Sequence, residues 1–190
     1  KDILASIPQS VTICAATKYV NSEDASKLLS YGINNFAENR VDAFLKKYDE
    51  IKDKGIVWHF IGHLQSNKIK LVANKIDYLH SLDSLKSARI INENRTTPLK
   101  CFVEVSINGE ESKDGIEPAN ALEFVKELQN YKNIEVVGLM MMSVKYSEHD
   151  ALLDQFKKLS SLKKKIEEEL GITIPYLSMG MSDDYKEAIV

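Results

Sequence analysis

Cysteine is scarce in this chain, and the two cysteines present do not form a disulfide or metal-binding pattern. Cys14 and Cys101 are the only cysteines among 190 residues, and each lies inside an apolar run without a second cysteine nearby. Isolated cysteines of this kind are typical of small buried side chains in a reducing compartment. We therefore predict a cytoplasmic protein without disulfides.

Long apolar runs and an excess of one charge are also missing. No apolar run reaches the roughly 20 residues of a membrane-spanning helix, so we expect no membrane segment. The formal net charge is −3, with 25 basic and 28 acidic residues interleaved, which argues against a nucleic-acid partner. A composition with 44% hydrophobic residues instead predicts one globular domain over residues 1–190.

The chain contains only eight glycines, and none of them builds a glycine-rich phosphate loop after a predicted strand. Apolar runs instead alternate with amphipathic segments. The predicted strands are 11–19, 33–36, 56–62, 76–79, 99–107, 134–142 and 172–180. Seven strands, each followed by a helix, predict an α/β fold of the (β/α)8 TIM-barrel type, with a doubly wound open sheet as the alternative.

An eighth strand is absent from the sequence, so we expect the natural domain to continue beyond residue 190. The functional side chains of such barrels lie where the strands end. Polar residues follow the predicted strands at Lys18, Asn39, His63, Ser81 and Asn108, and again in the segment 177–184.

Lys18 ends the apolar run Val-Thr-Ile-Cys-Ala-Ala-Thr-Lys-Tyr. Alternation along a strand places Thr12, Cys14, Ala16 and Lys18 on one face, and the residues before the lysine are small. This face leaves room for a bound molecule in front of an amine that can attack carbonyl groups. The alternative is a lysine that simply enters solvent at the end of a strand.

The segment Leu-Ser-Met-Gly-Met-Ser-Asp-Asp follows the seventh predicted strand, where barrels commonly bind phosphate. Ser178 and Gly180 share a strand face, Ser182 is a candidate N-cap, and backbone N–H groups near Met181 could hold a phosphate. The alternative is a capped helix with acidic residues in its first turn.

The sequence gives little support for a metal site or for a catalytic triad. His59 and His63 are four residues apart, but His59 lies within a strand and no HExxH pattern is present. We predict that His59 is a hydrogen-bonded core residue, that His63 lies on the rim of a pocket, and that the chain has no metal site. No serine or cysteine nucleophile has evident partners.

Lys18 and a phosphate site at the other end of the chain together predict pyridoxal 5'-phosphate (PLP), which needs an amine for its aldehyde and donors for its phosphate. Six segments also resemble the pyridoxal phosphate homeostasis protein family: ATKY, FAENRV, WHFIGHLQSNK, LHSLDS, GLMMM and LSMGMSDD. The resemblance implies a fold similar to the barrel of bacterial alanine racemase. It also implies a Schiff base between PLP and Lys18, Asn39 beside the cofactor ring, and Ser178 and Ser182 at the phosphate.

The resemblance further implies a PLP-binding protein for intracellular vitamin B6 homeostasis, a monomer that is not an enzyme and that serves PLP-dependent apoenzymes. Three alternatives use the same barrel: an amino-acid racemase, a Schiff-base aldolase and a protein that binds a phosphorylated metabolite without a covalent bond. We expect no efficient racemase, because racemisation needs a base on each face of the cofactor and Lys18 serves only one.

Overall fold

The structure is a computed structural model, and it describes residues 2–107, 114–144 and 147–190. Asn108 lies outside the described residues. The strands are β1 (Ala15–Ala16), β2 (Asn35–Glu38), β3 (Val57–Phe60), β4 (Tyr78–Leu82), β5 (Leu99–Glu104), β6 (Ile134–Met140) and β7 (Tyr176–Ser178). The helices are α1 (Asp2–Ser6), α2 (Ser22–Ser26), α3 (Val41–Ile51), α4 (Ile69–Val72), α5 (Leu85–Asn94), α6 (Pro118–Leu128), α7 (His149–Leu170) and α8 (Tyr185–Ile189).

The helix boundaries follow local chemistry. The Asn21 side chain accepts a hydrogen bond from the Asp24 N–H at the start of α2, as predicted for an N-cap. Pro118 occupies the first turn of α6, where the missing N–H costs nothing. Gly171 ends α7 with a φ of 61°, a left-handed conformation that glycine adopts without steric cost.

The seven strands form one parallel sheet in the order β1 to β7, each paired with its neighbours in sequence. This order excludes the doubly wound alternative, in which the strand order reverses at a switch point. The sheet is strongly curled: His80 Nδ1 on β4 lies 2.6 Å from Ser178 Oγ on β7. In a flat sheet, strands three positions apart would be separated by about 14 Å. The predicted α/β barrel architecture is therefore confirmed for seven strands.

The main core lies between the convex face of the sheet and the helices. An aromatic group from α3 and its strands, Phe36, Phe44, Trp58 and Phe60, is almost fully buried there. Burying a side chain of this size contributes roughly 1.5–3 kcal/mol. A second, smaller core on the concave face consists of Phe102, Val137 and Met140, with Tyr78 packed against them. The remaining concave surface is polar, so it is the candidate location for a site.

The bounds of all seven strands differ from the prediction, as β1, β4 and β7 illustrate. Only Ala15–Ala16 of the predicted strand 11–19 pairs with β2, because β1 lies at an edge of the sheet and has ladder bonds on one side. β4 extends through His80 and Ser81, and β7 is limited to Tyr176–Ser178. No helix in the described ranges combines the length and apolar character needed to cross a bilayer.

Candidate functional site

The site is built at the edge of the sheet where the parallel strands end. Lys18 comes two residues after β1 and is exposed, with its Nζ 5.0 Å from the centre of the Tyr19 ring. None of the ion pairs between described residues involves Lys18. Its amine is therefore accessible to a small molecule from this end of the sheet.

A buried ion pair holds the backbone immediately before Lys18. Glu38 at the end of β2 is fully buried and pairs with Lys47 of α3, which is 6% exposed. Lys47 Nζ also donates to the Thr17 carbonyl oxygen at 2.5 Å, and Thr17 Oγ1 donates to Glu38 Oε1 at 2.7 Å. The last residue before Lys18 is thus fixed from two sides. Glu38 Oε2 has no hydrogen-bond partner among the described residues.

Asn39 directly follows β2 and is half-buried. Gly62, which follows β3, packs tightly against the backbone of Asn39. A Cβ added at Gly62 would lie 2.2 Å from the Asn39 carbonyl oxygen. Ser81, buried on β4, donates to the Gly62 carbonyl oxygen at 2.6 Å. The ends of β2, β3 and β4 are therefore packed together. His63 is exposed at this rim, and its Nδ1 atom lies 3.4 Å from Asp114 Oδ1.

A chain of hydrogen bonds crosses the concave face from β2 to β7. Asn35 Oδ1 lies 2.9 Å from His59 Nε2, His59 Nδ1 lies 2.8 Å from His80 Nε2, and His80 Nδ1 lies 2.6 Å from Ser178 Oγ. Burial lowers the pKa of His59 to about 4, and burial with the neighbouring His59 lowers the pKa of His80 to about 3. Both imidazoles are therefore neutral at pH 7. The prediction that His59 is a hydrogen-bonded core residue is confirmed.

Stacking fixes the planes of these two rings. The His59 ring stacks on Tyr78 at a centroid distance of 4.5 Å, and the His80 ring stacks on Phe102 at 4.3 Å. Ser178 is consequently held by a histidine that cannot rotate freely. The sequence analysis placed His59 within a strand, but only the structure shows that His59 bonds to His80 on the neighbouring strand.

Ser182 is placed differently from the prediction. It is exposed and lies in a turn, whereas the N-cap of α8 is Asp184 and the helix starts at Tyr185. The buried Asp184 carboxylate accepts from the Met181 N–H and from Ser143 Oγ. Asp184 stands at the N-cap without a side-chain bond to the helix backbone, and the Met181 N–H is already engaged by its carboxylate. The carboxylate of Asp184 is turned into the protein rather than toward a bound anion.

Glu104, at the end of β5, is a titratable group that the sequence did not reveal. Burial, and then the negative charges of Asp83 and Asp114, raise the pKa of Glu104 to about 7. It follows Phe102 on the strand by two residues and so shares the concave face with it. Glu104 can therefore exchange a proton near neutral pH.

Three of the four predicted residues lie at the carboxyl ends of the parallel strands. Lys18, Asn39 and Ser178 lie at the ends of β1, β2 and β7, and Ser178 faces the concave side through its bond to His80. Ser182 lies beyond β7 on the surface. An amine, an amide and a hydroxyl at the mouth of a curled sheet form a donor set suited to an anionic carbonyl compound.

Comparisons with known proteins agree with this fold. A family described as alanine racemase, N-terminal domain, matches residues 3–188. The chain is 36% identical over 180 residues to a protein of Aquifex aeolicus called pyridoxal phosphate homeostasis protein, and the match covers 93% of this chain and 79% of that protein. A protein of the same name from Schizosaccharomyces pombe is 36% identical over 187 residues, covering 95% of this chain and 78% of that protein.

The fold is also similar to a solved structure. PipY of Synechococcus elongatus PCC7942, described with PLP bound, matches with a TM-score of 0.91 at 24% sequence identity. The match covers 99% of this chain and 90% of that chain. At this identity the similarity shows that the two proteins share the curled parallel sheet and its helices.

Proposed function

The chain belongs to the pyridoxal phosphate homeostasis proteins, within the family of the alanine racemase N-terminal domain, and from this membership we propose that it binds PLP for intracellular vitamin B6 homeostasis. The cofactor is held by a Schiff base on Lys18, and no substrate is turned over efficiently. The exposed Lys18 amine, at the same carboxyl end of the parallel sheet as Asn39 and Ser178, supports this function.

The residues present fit PLP. Lys18 supplies an amine without a competing carboxylate among the described residues, and Ser178 supplies a hydroxyl on the concave face. The Asp184 carboxylate, whose charge would repel a phosphate, accepts hydrogen bonds from the Met181 N–H and from Ser143 Oγ. When bound, PLP supplies an aldehyde that condenses with a primary amine and an electron-withdrawing ring.

Each residue has a distinct part in holding the cofactor. Lys18 provides the amine, and the Lys47–Glu38 pair keeps the preceding backbone in place. The amide of Asn39 can donate to or accept from polar atoms of the ring. Ser178 contacts the phosphate, and Ser182 is a secondary contact from the surface turn. His80 fixes the position of Ser178: with PLP bound, His80 Nδ1–H donates to Ser178 Oγ, so that the Ser178 hydroxyl donates to the phosphate.

The proposal extends to the whole domain. Residues 1–190 form one PLP-binding domain of the (β/α)8 barrel type. The two cysteines are free in the structure, which supports a reducing, cytoplasmic location. The protein is a monomer that passes PLP to apoenzymes.

A direct test of the function combines cofactor binding with the chemistry of a substrate. We expect the chain to bind one equivalent of PLP in an absorbance titration. We expect loaded protein to exchange the α-proton of alanine with heavy water far more slowly than about 10 per second, a typical enzyme turnover. The reason is that only one face of the bound amino acid has a base, and general acid–base catalysis is typically worth 10²- to 10⁴-fold.

Exchange at ordinary enzyme rates, with racemisation, would contradict the carrier function and favour the racemase alternative. Glu104 is the group to examine in that event, because its pKa of about 7 suits proton transfer at neutral pH. A Glu104→Gln variant would then lose the exchange and keep the cofactor. Failure to bind PLP at all would contradict the proposal as a whole.

Ser178 is expected to contribute more to PLP affinity than Ser182. Ser178→Ala removes a fixed hydroxyl that bonds to a charged phosphate, a loss of roughly 1.5–3 kcal/mol, or about 10- to 150-fold in Kd. Ser182→Ala changes an exposed side chain and should alter Kd by no more than about threefold. Equilibrium titrations with PLP measure both, and Ser178→Thr is the matched control because it retains a hydroxyl. A larger loss in Ser182→Ala would reverse this ranking.

A further inference from the structure

Three potential metal ligands meet inside the curled sheet. Cys14, His59 and His80 each contribute one ligand atom, and these atoms all lie within 4.8 Å of one another. The cysteine comes from the segment before β1, and the histidines come from β3 and β4. Both histidines are buried, whereas Cys14 is partly buried. The sequence analysis considered His59 and His63 as a pair of metal ligands. His63 lies exposed on the rim and is not one of these three residues.

The two histidines share one proton between their facing nitrogens. A hydrogen bond of 2.8 Å between His59 Nδ1 and His80 Nε2 requires one donor and one acceptor. His59 Nε2 donates to Asn35 Oδ1, so His59 Nδ1 accepts and His80 Nε2 donates. His80 Nδ1 then accepts from the Ser178 hydroxyl. If the shared proton moves from His80 Nε2 to His80 Nδ1, both facing nitrogens, His59 Nδ1 and His80 Nε2, have a free lone pair.

We propose that Cys14, His59 and His80 form a binding site for a divalent transition-metal ion of the zinc class. Two imidazole nitrogens and one thiolate are ligands that zinc prefers, and three protein ligands leave a fourth position for water. The ion takes the place of the shared proton. His59 Nε2–H continues to donate to Asn35, and His80 Nδ1–H donates to Ser178 Oγ. Oxygen acceptors of this kind orient most metal-binding histidines.

To accept the ion, both imidazole rings tilt so that their lone pairs converge on it, and the Cys14 sulfur, now within 4.8 Å of the nitrogens, comes to about 3.5 Å from each. Tetrahedral bonds of 2.0–2.1 Å place two nitrogens about 3.3 Å apart, so the facing nitrogens have to separate by about 0.5 Å. The Cys14 thiol binds as the thiolate and releases one proton to solvent for each ion bound, with no change in oxidation state. Burial raises the pKa of this thiol to about 12, so the metal-free chain carries the protonated form.

Cobalt(II) is a suitable probe, because its bond to a thiolate gives a near-ultraviolet charge-transfer band that oxygen and nitrogen ligands do not give. Cobalt(II) alone, titrated into the chain without PLP, is expected to produce this band and to saturate at one equivalent. Zinc(II) is expected to abolish the band by displacement. The absence of PLP makes the result independent of the proposed cofactor function.

Three variants locate the ion. Cys14→Ser is expected to lose the band, while Cys101→Ala keeps it, because Cys101 lies in the core between sheet and helices. Asn35→Ala removes the oxygen that orients His59 and is expected to weaken cobalt binding by about 10- to 100-fold. His63→Ala is expected to leave the band unchanged, since its carboxylate neighbours Asp83 and Asp114 supply no sulfur.

Wild-type protein that shows no charge-transfer band with excess cobalt(II) would overturn the proposal. A band that survives in a folded Cys14→Ser variant would overturn it as well. Circular dichroism and cooperative thermal unfolding confirm that each variant is folded. The wild-type titration is decisive even if a variant does not fold.

Discussion

Replacing Lys47 by alanine is expected to lower the free energy of unfolding by about 3–5 kcal/mol. The change leaves the fully buried Glu38 carboxylate without its cation, and its Oε2 atom already lacks a hydrogen-bond partner among the described residues. An uncompensated buried charge costs far more than the lost packing of the lysine stem. The Thr17 carbonyl also loses the Lys47 donor and keeps only the Val20 N–H. Urea unfolding followed by circular dichroism measures the difference.

Two comparisons isolate the buried charge as the cause. Lys46→Ala, at the exposed neighbouring position of α3, is expected to change the free energy of unfolding by no more than about 0.5 kcal/mol. The double replacement Lys47→Met with Glu38→Leu should recover most of the loss, because hydrophobic pairs often replace a buried ion pair without penalty. A single Lys47→Ala variant within about 1 kcal/mol of the wild type would contradict the assigned role.

Replacing Lys18 by alanine or by arginine is expected to abolish covalent binding of PLP completely. Alanine removes the amine, and arginine keeps the positive charge but has no nucleophilic amine. The visible absorption of lysine-bound PLP, and its bleaching by borohydride, should vanish in both variants. Lys18→Arg should retain weak, dialysable binding, since the phosphate contacts of Ser178 persist.

Lys27→Ala is a matched control for this experiment. Lys27 is an exposed lysine after α2 that pairs with Asp24, so its loss should leave the absorption band unchanged. The buried Lys47 is engaged by Glu38 and is not an alternative nucleophile. If Lys18→Arg kept the borohydride-sensitive band, another lysine would hold the cofactor.

The placement of the candidate residues could be predicted because it depends on strand periodicity. Apolar runs followed by polar residues indicated the ends of β1, β2 and β7, and thereby Lys18, Asn39 and Ser178. The capping of α8 was predicted wrongly at Ser182. Ser182 and Asp184 are both suitable caps by residue type, but Asp184 stands at the N-cap with its carboxylate bonded to Ser143 and Met181 and not to the helix backbone.

The buried contacts could not be predicted in the same way. Lys47 lies on the buried side of α3 with Phe44 and Ile51, a signal that was present in the helical spacing. Its partner Glu38 sits 9 residues earlier on a strand, and their pairing depends on how α3 packs against the sheet. The contact between His80 and Ser178 spans 98 residues and requires the curl of the whole sheet.

Covalent binding of PLP at Lys18 is tested by reducing PLP-loaded protein with borohydride and mapping the modified peptide by mass spectrometry. We expect one phosphopyridoxyl group per chain, attached to Lys18. A modification on any other lysine, or a protein that binds PLP and remains unmodified after reduction, would contradict it.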